Sequence, residues 1–139
     1  MNKTNRDKAV AEPGSNTIMV VEPDVLARMI LADYLRSCGY KVIEGGQAQD
    51  VFDILDAGGT IDTILAEVNL PGALDGFGLA SQIRQTHPDI DVILPLGIGK
   101  AADKAGDLCE RGPKDKPFHP QEVVRRINML RERRRTSKK

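Results

Sequence analysis

The sequence predicts a single doubly wound α/β domain. Three observations carry this expectation. Short β-branched runs alternate with amphipathic segments along most of the chain, the amphipathic segments end at clear stop signals, and charged residues stand just past the ends of the apolar runs. The chain has 139 residues, of which 40% are apolar, enough for one core of ordinary size.

The elements follow in order. Thr17-Ile-Met-Val-Val21 reads as a strand, and Asp24 to Cys38 as a helix with Leu26, Met29, Ile30, Tyr34 and Leu35 near helical spacing. Asp24 suits the helix N-cap and Gly39 the left-handed position after its end. Tyr40-Lys-Val-Ile43 is a second strand, and Ala48, Val51, Phe52 and Leu55 form the stripe of a second helix before Gly58-Gly59. Thr63 to Ala66 is the third strand. Phe77, Leu79, Ala80 and Ile83 mark a third helix that stops before His87-Pro88, and Asp91-Val-Ile-Leu-Pro95 is the fourth strand. From Gly97 to Gly106 few large apolar residues occur, so a fourth helix there is expected to be short, poorly packed or mobile. Gly112-Pro-Lys-Asp-Lys116 stands where a fifth strand belongs; its polarity and proline restrict it to a short edge strand. Pro120 opens a last helix with Val123, Val124, Ile127 and Leu130 facing inward.

Alternating strands and helices imply a parallel sheet with right-handed crossovers and helices on both faces. Sites in such sheets lie beyond the carboxyl ends of the strands. Glu22, Glu67 and Lys116 fall there, after the first, third and fifth strands. Glu67 is the most informative of them, because an acid at the end of a buried strand needs a partner, a metal or an exposed position.

Composition excludes several classes. Acidic and basic residues cancel to zero net charge, which argues against a global nucleic-acid-binding field. No run approaches the ~18 apolar residues of a membrane span, and residues 1–16 are polar with no apolar signal region, so a cytoplasmic protein is expected. Cys38 and Cys109 lack CxxC or Cys/His spacing and read as small buried hydrophobes rather than as a disulfide or zinc ligands. His87 and His119 flank prolines at helix boundaries and read as surface or capping residues. The arginines at 125, 126, 131, 133, 134 and 135, with Lys138 and Lys139, read as a solvated helix end that complements the helix dipole. No aromatic residues interleave them, so nucleic-acid binding is not expected.

Val20-Val21-Glu22 with Arg28, Cys38-Gly39-Tyr40, Val68-Asn69-Leu70-Pro71-Gly72 with Asp75-Gly76, Ile83-Arg84 and Lys116-Pro117-Phe118 together resemble the receiver domain of two-component response regulators. The resemblance covers about Thr17 to Leu130. It implies a flavodoxin-like (CheY-like) fold, a five-stranded parallel sheet in the order 2-1-3-4-5. Residues 1–16 are then a disordered N-terminal segment, 17–131 the receiver-like domain and 132–139 a basic tail. In the family an aspartate after the third strand accepts a phosphoryl group from a histidine kinase with the aid of Mg²⁺. A Ser/Thr after the fourth strand, a lysine and a switch aromatic read the phosphate.

Set beside that pattern, Glu67 holds the phosphoacceptor position with a carboxylate about one C–C bond, ~1.5 Å, further out. Glu22 keeps one metal-side acid and Asp24 lies beside it as an acidic-pocket residue, but Pro23 replaces the second acid of the metal pair. A metal would have only Glu22, Glu67 and the Asn69 carbonyl, so Mg²⁺ is doubtful as a cofactor. Leu96 replaces the Ser/Thr and Pro113 the aromatic, both read as packing residues that fill the space of switch parts. Lys116 is retained and is expected to pair with Glu67 in a charged, active-like arrangement.

The expectation is a stand-alone, non-enzymatic signalling protein with a degenerate acceptor site. Its partners would be a histidine kinase or a downstream regulator, and a second copy could pair through the face of the fourth helix, fifth strand and fifth helix. A genuine phosphoacceptor that uses Mg²⁺ is the alternative. A flavodoxin-like nucleotide- or flavin-binding protein is disfavoured, because Glu22-Pro-Asp24 lacks the glycines and hydroxyls that cradle phosphate.

Overall fold

In a computed structural model, residues 16–114 and 119–137 are described. Four strands, β1 (Thr17–Val21), β2 (Lys41–Gly45), β3 (Thr63–Ala66) and β4 (Asp91–Ile93), alternate with α1 (Val25–Ser37), α2 (Ala48–Asp56) and α3 (Gly76–Thr86). The helices α4 (Gly97–Glu110) and α5 (Pro120–Ser137) follow. All three strand pairings are parallel and the spatial order is β2-β1-β3-β4. The expected alternation and strand order therefore hold for these four strands, and the fourth stops at Ile93 rather than Pro95.

The β-branched strands bury both faces. Ile18, Val20 and Leu65 point into one core with α1, α4 and α5, and Met19, Val21, Ile64 and Ala66 into another with α2 and α3. Local chemistry sets the helix starts. Asp24 caps α1 through Oδ1, which accepts from the Leu26 and Ala27 amides at 3.0 and 3.4 Å, and Asp75 caps α3 through the Gly78 amide at 2.8 Å. Gly39, after α1, has a φ of 99°.

Three sequence expectations need correction. The fourth helix is neither short nor poorly packed: α4 has 14 residues, six of them buried. Its small side chains allow close approach, as at Gly106, where a Cβ would collide with the ring of Pro120. Cys38 and Cys109 are buried as expected, but they are joined in a disulfide with a Cα–Cα distance of 5.4 Å. The sequence separation of 71 residues hides this pairing, which the packing of the end of α1 against the end of α4 creates.

The third correction concerns the fifth strand. Among the described residues the sheet has four strands, and Gly112–Lys114 is a turn whose Lys114 amide donates to the Cys38 carbonyl at 2.9 Å. Residues 115–118 of the expected strand, Lys116 included, lie outside the described residues, as do residues 1–15 and the end of the basic tail. The placement of α4 fits this arrangement. A further parallel strand beyond β4 would need α4 on the α2/α3 face for a right-handed crossover, whereas α4 packs on the α1 face. The last helix then starts beside Gly106 of α4 and reaches the N-terminus of α1 by Arg131, ~16 Å further along its axis. It runs opposite to α1.

Candidate functional site

The register of β1 and β3 places two acids side by side. Val21 is paired with Ala66, and the next residues, Glu22 and Glu67, stand together at the carboxyl edge of the sheet. Backbone bonds hold both: the Glu22 amide donates to Gly45 and the Glu67 amide to Val21, each at 2.9 Å.

Their carboxylates are held differently. Oε2 of Glu67 accepts from the amides of Val68 at 2.8 Å and Asn69 at 3.4 Å, so the side chain folds back onto its own loop. That loop is shaped by Gly76, whose amide donates to the Val68 carbonyl at 2.7 Å. Oε2 of Glu22 accepts from the Asp24 amide at 2.8 Å. Arg28 crosses behind it, donating to the Glu22 carbonyl at 3.0 Å and pairing with Glu44 of β2 at 3.4 Å. Asp24, besides capping α1, meets Nε of Arg131 at 2.8 Å and Nη2 of Arg134 at 3.3 Å through Oδ2.

Electrostatics follow from these contacts. Burial pushes the Glu22 carboxyl above its ordinary 4.5; the Asp24 amide bond opposes this, the charges of Glu67 and Asp24 add to it, and Arg131 offsets part. For Asp24 burial also works upward, but the Ala27 amide and the two arginines outweigh it and hold the carboxyl below 3.8.

A folded-state value above the unfolded one means that Glu22 binds its proton more tightly in the folded chain. Its contribution to stability is full below about pH 4.5 and is lost as pH rises through the raised value. Glu22→Gln is therefore expected to gain stability relative to the parent as pH rises from about 4.5 towards neutrality, read from urea midpoints across that range. Parallel profiles for the two proteins would contradict the assignment.

The other expected site residues are scattered. Pro23 is exposed. Leu96 is 71% exposed at the N-cap of α4, so it does not fill the space of a switch part. Instead it lines a surface groove with Lys100, Asp103, Val124 and Arg125, because Gly97, with a φ of 86°, turns the chain at that point. Pro113 packs over Gly39, at the end of α1 remote from Glu67. His87 ends α3 and meets Oγ1 of Thr86 at 2.9 Å, and the carbonyl of His119 accepts the Glu122 amide.

The residue that sequence reasoning missed is Arg131. Its position four after Ile127 and eight after Val123 places it on the inward stripe of α5, a signal that the surrounding run of arginines obscures. The cavity beneath the acids, between Glu22, Glu67, Pro95 and Ile98, is about 20 Å³, room for one water and too small for a nucleotide or flavin. Among the described residues no three His, Cys, Asp or Glu side chains gather to hold a metal ion, and no helix is long and apolar enough to cross a membrane.

A parallel sheet in this order, with acids at the carboxyl ends of its first and third strands, defines a receiver-type signalling fold. Residues 18–128 match the family model for the response regulator receiver domain, and the chain belongs to that family. It is 34% identical over 97 residues to the sensor kinase CckA of Brucella abortus, a match that covers 69% of this chain and 10% of that protein. It is 30% identical over 120 residues to the transcriptional regulatory protein AruR of Pseudomonas aeruginosa, covering 81% of this chain and 48% of AruR. The chain thus spans a tenth to about a half of these relatives. Among solved structures, a response regulator from Chloroflexus aurantiacus is similar with a TM-score of 0.56 at 26% identity, over 83% of this chain and 96% of that one.

Proposed function

We propose that this receiver domain signals by protein contact, with Glu67 serving as a fixed charge at the acceptor position rather than as a phosphoryl acceptor. The observation that carries the reading is the Glu67 carboxylate, which is bonded to the Val68 and Asn69 amides of its own loop. These bonds fix the carboxylate through Oε2, and the extra methylene sets its other oxygen further out than an aspartate's; misplacement by about 1 Å already costs ~10²-fold in the rate of in-line transfer.

The donor set supports the same reading for the metal. Mg²⁺ requires near-octahedral oxygen coordination. Glu22, Glu67 and the Asn69 carbonyl are what the loops offer, Pro23 contributes no side-chain oxygen, and Asp24 is engaged by two arginines. These residues do not fit the ion, and no step is assigned to it. The protein is then not an enzyme in the usual sense. Family membership makes a histidine kinase or a downstream regulator in the cytoplasm the natural partner. A complex of the histidine kinase ThkA with the response regulator TrrA, matched by fold with a TM-score of 0.54, illustrates such a pairing for those proteins.

Incubation with Mg²⁺ and acetyl phosphate, or with beryllium fluoride, followed by intact-mass and amide chemical-shift measurement, tests the proposal. No adduct and no shift at Glu67 to Asn69 is expected, and Glu67→Asp alone is expected to stay inert because Pro23 and Leu96 persist. A stoichiometric phosphoryl adduct on the parent protein would establish a genuine acceptor instead.

A further inference from the structure

The acidic end of the sheet has a counter-charge supplied from the far end of the chain. Arg131 reaches Asp24 across 107 positions of sequence, and Arg134 joins it from the next turn of the same helix. Two features make this more than an incidental surface pair. The Asp24 side chain is only 19% exposed, and its second oxygen is already committed to the start of α1, so the carboxylate has a fixed orientation. Its amide is bonded to Glu22, so the arginines neutralise a joined pair of acids rather than a single one.

We infer that the acidic pocket is a guanidinium site, filled in cis by α5. The chemistry favours this ligand over a divalent ion. A guanidinium is planar, permanently charged and weakly hydrated, and it can donate to a single well-oriented carboxylate without the six-oxygen shell that Mg²⁺ demands. The reversed direction of α5 makes the contact attainable, since a helix running parallel to α1 would carry its C-terminal arginines to the opposite end of the sheet. Docking of the last turns of α5 is thereby tied to the charge at Asp24. The inference rests on the proposed absence of Mg²⁺ from this pocket, whereas the exchange measurements below read the α5 contact itself and so fail separately from the phosphodonor experiment.

Asp24→Asn isolates the charge, because asparagine is an equally good N-cap and α1 should start as before. Amide hydrogen exchange over residues 128–137 is expected to quicken about 3-fold in Asp24→Asn and in Arg131→Gln, as suits a partly exposed pair. The double variant should exchange no faster than the quicker single one, and Arg131→Lys should recover only part of the protection. High salt should shrink the difference between parent and variants. Titration of the parent with Mg²⁺ should leave the Glu22 and Asp24 amide signals unmoved. Unchanged exchange in both single variants, additive effects in the double variant, or a saturable Mg²⁺ shift at Glu22 and Asp24 of the parent would each overturn the inference.

Discussion

Reduction of the Cys38–Cys109 disulfide is expected to lower the unfolding free energy by about 4 kcal/mol, the chain-entropy value for a loop of this length. The bridge joins residues 71 apart in sequence, and both sulfurs are buried between the C-terminal ends of α1 and α4. Urea unfolding with and without a thiol reductant measures the difference, and Cys38→Ala with Cys109→Ala should reproduce the reduced protein. Coincident midpoints would show that the tether adds nothing. The loss should be felt first in α4, where Gly97, Gly99 and Gly106 lower the intrinsic helix stability. The reduced protein keeps other ties there, including the Tyr40 hydroxyl on the Leu108 carbonyl at 2.5 Å and Lys114 on Cys38. In a reducing cytoplasm the pair would be held as thiols, so the two midpoints also bracket the stability available in the two kinds of compartment.

Gly76→Ala is expected to have the next largest effect. A Cβ at this position would lie 2.7 Å from the Glu67 carbonyl oxygen and 2.8 Å from the Val68 Cα, both backbone atoms of the acidic loop. Neither can rotate away, so the loop must shift. A destabilisation of ~1–3 kcal/mol is expected from the overpacking. Chemical shifts of the Val68 and Asn69 amides should change as the Glu67 carboxylate loses its two donors. Ala80, on the same helix, is half-buried, and Ala80→Ser there serves as a control that should leave those amides in place. An unshifted loop in Gly76→Ala would mean that α3, rather than the site, absorbs the strain.

Much of the architecture was legible because hydrophobic period and punctuation agree. Ile18–Val21 and Ile64–Ala66 are unbroken apolar runs, Asp24 and Asp75 start helices, and Glu22 and Glu67 follow by simple counting. What was hidden depends on contacts distant in sequence. The apolar content of α4 is carried by alanines, whose burial depends on how closely α1 and α5 approach rather than on their own size. The disulfide and the Asp24–Arg131 pair likewise join segments that no local pattern connects. Pro113 illustrates the limit of transfer by position. It stands where the family has a switch aromatic, yet the turn at Gly112–Lys114 carries it to Gly39, at the other end of α1.

The helix arrangement also decides what the surface presents. In a five-stranded receiver with right-handed crossovers, the fourth helix covers the face of the second and third. Here α4 and α5 share the α1 face and α5 runs against α1, and Leu96 and Val124 line one groove. Three helices thus load one side of the sheet and two the other, an asymmetry that sets which side chains this chain can present together.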